Sequence, residues 1–154
     1  RFDIEGRLQV ARFGRLAVVN GYFPKGSGKE RDNSRVPYKL AIYRAVFERA
    51  EGLRRSGRRV LVMGDFNNVA EHSELWRNAT GQGLRDAWLV ADERRGPALT
   101  LSDFGAPDEG RIERVDWILV GGPIGVRSVE TVLYNDRGRY PSDHYPVAAR
   151  LEVR

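Results

Sequence analysis

Apolar and polar residues alternate through Arg7-Leu8-Gln9-Val10-Ala11-Arg12-Phe13, Gly14-Arg15 breaks the pattern, and Leu16-Ala17-Val18-Val19 is continuously apolar. Alternation, a break and a second apolar run predict a β-hairpin. Residues 20–36 are rich in Gly, Lys, Arg, Asp, Asn and Ser without periodicity, so a surface loop is expected. Helical spacing then begins, with Tyr38, Ile42, Ala45, Val46, Arg49, Ala50 and Leu53 on one stripe. Ser34 is placed to cap that helix, Pro37 suits its first turn, and Ser56-Gly57 should end it. Val60-Leu61-Val62-Met63 reads as a buried strand. Strand, helix and strand in this order predict parallel pairing through a right-handed crossover if both strands share a sheet.

The second half is less regular. Residues 71–78 read as a short amphipathic helix anchored by Leu75 and Trp76, and residues 84–90 and 97–101 are weak candidates. Strands are expected at 114–120, at 125–133 after a Gly121-Gly122-Pro123 turn, and at 147–153. No repeat, low-complexity tract or linker interrupts the chain. With 154 residues, 41% of them hydrophobic, it can bury one sizeable core and is most simply a single domain of mixed α/β (α+β) class.

Composition adds three constraints. No apolar run approaches the ~20 residues of a membrane span, so no membrane partner is expected. The absence of cysteine excludes disulfides and thiolate metal sites and agrees with a reducing, cytoplasmic location. The net charge is +5, and all basic residues but Lys25, Lys29 and Lys39 are arginines. Guanidinium forks match phosphate oxygens, which favours an anionic partner such as nucleic acid, although genome composition produces the same bias.

The apolar run at 60–63 ends in Gly64-Asp65-Phe66-Asn67, placing a carboxylate and an amide on one face at the C-terminal end of a strand. Ligands of open α/β sheets collect outside such ends, so Asp65 and Asn67 form the first candidate site. Asp116 is an acid inside another apolar run and needs a partner. Arg114, two positions away, is one candidate. His144 is the other: a carboxylate on one imidazole nitrogen fixes the tautomer and directs the second nitrogen at substrate. Asp143 and His144 stand between Pro141 and Pro146, and both reach one site only if the backbone bends. His72, beside a helical stretch, reads as a surface residue. Tyr22, with Phe23 before Pro24, is either a packing anchor or a phenol able to donate to a phosphate oxygen.

Together, Asn20-Gly21-Tyr22-Phe23-Pro24, Gly64-Asp65-Phe66-Asn67, Arg114-Val115-Asp116 and Ser142-Asp143-His144 resemble, in order and spacing, the motifs of the endonuclease/exonuclease/phosphatase superfamily. Residues 18–46, with NGYFPKG followed by RVPYKLAIYRAV, are similar to exodeoxyribonuclease III and its abasic-site endonuclease relatives. The resemblance implies part of a DNase I-like four-layer α/β sandwich, with a mixed sheet and flanking helices. It implies a Mg²⁺-dependent phosphodiester hydrolase of DNA repair acting on duplex DNA, with abasic sites among its substrates and Mn²⁺ as an alternative ion.

By position, the resemblance makes Asp65 the residue that activates water and Asn67 its partner. Tyr22 matches the tyrosine near the scissile phosphate, Asp116 the acid that orients a histidine, and His144 the histidine on the phosphate. Asp143 matches a metal-associated carboxylate beside Asp65 and Asn67. Lys25, Lys29, Arg31 and Arg35 are the expected DNA contacts, and the full-length protein is expected to be a monomer.

Two departures stand out. The family carries an Asn and a metal-binding Glu on earlier strands that Glu5 does not match. Residues 1–154 are therefore expected to be the C-terminal portion of one catalytic domain, weakly active or inactive alone. Gly110-Arg111-Ile112-Glu113 precedes Arg114 where the exodeoxyribonuclease III relatives usually place a Trp that helps form an abasic-sugar pocket. That feature resembles the broader phosphodiesterase and phosphatase branches, with Trp88 and Phe104 as candidate substitutes. A phosphatase or small phosphodiesterase, or a DNA-binding fragment without catalysis, are the competing readings.

Overall fold

The computed structural model describes residues 6–27, 32–71, 73–106 and 113–154. Within them the chain runs β1 (Leu8–Phe13), β2 (Leu16–Tyr22), α1 (Val36–Arg55), β3 (Arg59–Asp65), α2 (Glu74–Gly81), β4 (Leu84–Asp86) and α3 (Ala87–Val90). It continues through β5 (Glu93–Arg95), β6 (Asp116–Gly121), β7 (Ile124–Thr131) and β8 (Val147–Val153). One mixed sheet has the order β1-β2-β3-β6-β4 and a second has the order β5-β7-β8.

The predicted hairpin is β1 against β2, and β2 and β3 share a sheet and pair parallel through α1, as expected for strands so joined. β3 lies between β2 and β6, the latter antiparallel to it. Its residues Val60, Leu61 and Val62 are all buried because both faces of the sheet are covered. On one side Ile42, Tyr43, Val46, Phe47, Ala50 and Leu53 of α1 pack with Val60 and Val62. On the other, Leu61 and Val120 meet Ile124, Val126 and Val129 of the second sheet. Each large apolar side chain so buried stabilises the fold by about 1.5–3 kcal/mol. The mixed α+β class follows, with α1 over the outer face of the larger sheet. Among the described residues no helix is long and apolar enough to cross a membrane.

An aromatic column lies under one end of the larger sheet. Phe23 and Phe66 stack at 4.4 Å between centroids, and Phe66 and Trp117 stack at 4.2 Å. The Tyr43 hydroxyl donates to the Phe66 carbonyl. Phe23 and Phe66 directly follow Tyr22 and Asp65, so each strand end sends one side chain into the core and presents its neighbour above it.

Several boundaries differ from the sequence expectation for local reasons. Arg35, not Ser34, is the first-turn boundary of α1, because the Ser34 hydroxyl donates to Asp32 Oδ1 at 2.7 Å. The buried stripe of α1 contains Lys39, Tyr43 and Phe47, whereas Arg49 is exposed. α2 starts at Glu74 because Ser73 Oγ accepts from the Trp76 amide at 3.1 Å and fixes the cap there. Residues 84–90 split into β4 and α3 at Asp86, whose carboxylate caps the helix. β5 has no counterpart in the apolar pattern, and residues 97–101 form no strand beyond an isolated bridge from Leu101 to His144. β6 begins at Asp116 rather than at 114, β7 ends at Thr131, and β8 spans the expected residues. His72 lies outside the described residues.

Candidate active site

Tyr22 is in register with Asp65, and Asp65 with Asp116. Registered partners point to one face, so the three residues form one rung across β2, β3 and β6, at the ends of the three interior strands of the larger sheet. The next rung inward on that face is Asn20, Met63 and Ile118. Together with Gly64, Asp116, Ser142 and His144 it lines a cleft of about 340 Å³.

Asp65 is held from behind. Its Oδ1 accepts from the Asn67 amide at 2.7 Å, and its Oδ2 accepts from Asn67 Nδ2 at 3.0 Å. The same Nδ2 donates to the Phe23 carbonyl at 2.7 Å, which ties the ends of β2 and β3 together. Asn67 adopts φ 48°, a left-handed conformation that Asn tolerates better than most residues. The turn is clamped by Lys39, 7% exposed, whose Nζ donates to the Asn67 carbonyl at 2.9 Å and to Asn68 Oδ1 at 3.3 Å. Burial lowers the pKa of Lys39, partly offset by the charge of Asp65. Burial raises that of Asp65, with Asp116 adding to the rise and the Asn67 amide, His144 and Lys25 opposing it.

Asp116 finds His144, at 2.8 Å from its Oδ2 to Nδ1. Arg114 goes elsewhere because residues 113–115 are not strand, so the two-residue face rule does not apply to it. Its guanidinium donates to both Asp86 oxygens, at 3.2 and 2.8 Å, and to Glu71 at 3.1 Å. The Asp116 hydrogen bond, opposed by burial, raises the His144 pKa. With Nδ1 directed at Asp116, Nε2 is the nitrogen left for a ligand. The required bend is present at residues 141–143, where Ser142 Oγ accepts from the His144 amide at 3.0 Å.

Among the described residues, Asp65, Asp116 and His144 place one donor atom each within 4.8 Å of one another, a set able to hold a divalent cation. Asp143 is outside that group, and its Oδ1 accepts from Ser142 Oγ at 3.3 Å. Tyr22 is 52% exposed, with the Arg7 guanidinium 5.0 Å from its ring. Lys25, Asn67, Asn68, Leu101, Glu113 and His144 line a second cleft of about 310 Å³. Arg35 sits 5.3 Å over the Tyr38 ring, and Lys29 and Arg31 lie outside the described residues. Phe104 is 59% exposed, whereas Trp88 packs in the core between the sheets. Lys39 was missed by sequence reasoning, although its spacing from Ile42 and Tyr43 placed it on the buried face.

The Endonuclease/Exonuclease/phosphatase family model matches residues 2–144. This chain belongs to that family. The chain is 26% identical over 186 residues to exodeoxyribonuclease III of Haemophilus influenzae, covering 97% of this chain and 68% of that protein. An AP endonuclease structure from Archaeoglobus fulgidus superposes with TM-score 0.75 at 22% identity, over 99% of this chain and 68% of that one. A mannosyl-6-phosphatase from Bacteroides thetaiotaomicron superposes with TM-score 0.68 at 23% identity, over 90% of this chain and 51% of that one. This member of the endonuclease/exonuclease/phosphatase family thus spans from half to about two thirds of these relatives, and family members are hydrolases of phosphoester bonds.

Proposed function

We propose that this chain is the C-terminal portion of a Mg²⁺-dependent phosphodiester hydrolase acting on DNA, of the exodeoxyribonuclease III and abasic-site endonuclease type. The observation that carries this reading is the convergence of Asp65, Asp116 and His144 at the strand ends, donor atoms within 4.8 Å. Ionised Asp65, aligned by two hydrogen bonds from Asn67, accepts the proton of the attacking water. His144, its Nδ1–H donating to Asp116, presents Nε2 to a phosphoryl oxygen and, protonated there as well, stabilises charge that grows on it. Tyr22 stands in the same rung as Asp65, and the resemblance makes it the phenol beside the scissile phosphate. The carboxylate oxygens of Asp65 and Asp116 suit a hard divalent cation, and the resemblance adds Asn67 and Asp143 as residues that would hold it beside Asp65. When bound, the ion supplies polarisation of the phosphoryl oxygen and neutralises charge on the leaving oxygen.

Lys25 at the second cleft, with Arg35 and the basic charge overall, favours DNA as the substrate. One observation favours a phosphatase instead. Glu113 lines the cleft beside His144, and an acid there suits a hydroxyl-bearing leaving group better than an apolar abasic-sugar pocket does. The test is Mg²⁺-dependent cleavage by the full-length protein of abasic duplex, undamaged duplex and a simple phosphomonoester. Duplex cleavage is expected, and Asp65→Asn or His144→Ala should lower kcat by ~100-fold or more with the fold intact. Wild-type rates in both variants would overturn the site, and turnover of the monoester alone would favour the phosphatase.

A further inference from the structure

We infer that Thr100 is a positioning residue for the Asp116–His144 pair, through hydrogen bonds to the backbone on both sides of it. β4 pairs only with residues Leu119, Val120 and Gly121 of β6, so the start of β6 has no strand neighbour on that edge. Thr100 fills the gap. Its Oγ1 accepts from the Val115 amide at 3.0 Å and from the Asp116 amide at 3.1 Å, and its own amide donates to the Glu113 carbonyl at 3.0 Å. The opposite side of the same residue grips the other partner's segment. The Thr100 carbonyl accepts from the Tyr145 amide at 2.8 Å, and Leu101 bridges to His144. Ser102 and Asp103 extend the seam, their amides donating to the Asp143 carbonyl at 2.7 and 3.0 Å.

Thr100 is 0% exposed, so no water competes for its hydroxyl oxygen. The Asp116–His144 bond at 2.8 Å depends on the relative placement of two segments 28 residues apart in the chain, and such a bond weakens steeply as it is misaligned. Valine has the shape of threonine without the acceptor, so Thr100→Val leaves the Val115 and Asp116 amides unsatisfied in the interior. Serine keeps the oxygen.

Two readouts separate positioning from a merely structural role. In ¹⁵N-histidine spectra of the full-length protein, the His144 signals are those that His144→Gln removes. At alkaline pH, where the ring is neutral, wild type and Thr100→Ser should show His144 in the single tautomer protonated at Nδ1, and Thr100→Val a mixture. The second readout rests on the hydrolase reading. Thr100→Val should lower kcat by about tenfold or more with KM little changed, Thr100→Ser should restore it, and in an Asp116→Asn background the effect should shrink to within about twofold. A folded Thr100→Val protein with an unchanged tautomer would overturn the inference, as would its full kcat loss persisting in the Asp116→Asn background. Should Thr100→Val not fold, the serine variant decides, since mixed tautomers in folded Thr100→Ser would overturn it equally. Absence of hydrolysis from every form counts against the hydrolase reading and leaves the tautomer to judge Thr100.

Discussion

At the scale of single residues, the pairing of Asp116 with His144 sets a pH dependence. The hydrogen bond to Asp116 raises the folded pKa of His144, so the protonated ring is bound more tightly in the folded state than in the unfolded chain. That stabilisation is complete below the ordinary histidine range and is lost as pH rises through the raised folded value. Asp65 acts in its own range: its raised pKa, caused first by burial, makes ionisation cost stability as pH passes the carboxylate region. In metal-free buffer, urea midpoints of wild type and Asp116→Asn should therefore converge from mildly acidic to mildly alkaline pH, the wild type losing its advantage. Parallel curves across that window would contradict the pairing. Asp116 was legible as a residue in need of a partner, but Arg114 and His144 were both open on sequence grounds. Only the position of Asp86, which captures Arg114 with both carboxylate oxygens, separates them.

At the scale of elements, the closest backbone approach beside the site is between β2 and β3. Gly64 has φ 129°, and a Cβ there would collide with the Gly21 carbonyl oxygen. The glycine of Gly-Asp-Phe-Asn is thus needed so that the rung of Tyr22 and Asp65 can form. Gly64→Ala is expected to destabilise by about 1–3 kcal/mol, because backbone must move and the conformation is strained. It should also reduce turnover, since Asp65 is the next residue. A Cβ at Gly21 meets side-chain atoms of Phe23 and Leu8, at 2.7 and 2.8 Å, so Gly21→Ala should cost less. Urea titration of both variants checks the order, and equal losses would show that β2 yields freely. The strands themselves were readable because their apolar patterns are local. The start of α2 and the split at Asp86 were not, since each depends on which side chain reaches an amide first.

At the scale of the whole molecule, charge and extent govern what the chain does with a nucleic acid. Removing one cation that neutralises a phosphate should reduce the dependence of log affinity on log salt by about 0.9 for duplex DNA. Lys25→Ala in the full-length protein should lower the slope by that amount without altering the fold, as measured by duplex binding over a salt series. An unchanged slope would remove Lys25 from the interface. The chain spans 68% of the Haemophilus influenzae relative, and residues 1–154 alone are expected to show weak or no Mg²⁺-dependent turnover. Full turnover by those residues would overturn their reading as one portion of a larger catalytic domain.

The sequence by itself determined that Val60 to Met63 belongs to a largely buried strand that ends at Asp65, while Asn67, expected on the same strand face, lies beyond the strand in a left-handed turn. It also predicted a parallel crossover of β2, α1 and β3 provided the two strands share a sheet, and its four spaced motifs carried the resemblance to the endonuclease/exonuclease/phosphatase family. Those conclusions rest on periodicity and on local order along the chain, which survive without knowledge of neighbours. The tertiary structure alone decided that Tyr22, Asp65 and Asp116 share one rung, that His144 rather than Arg114 meets Asp116, and that Lys39 and Thr100 stand behind the site. Each of these depends on register between strands or on packing between segments far apart in sequence. Hydrogen-bond partners are chosen there by distance in space, which no spacing along the chain specifies.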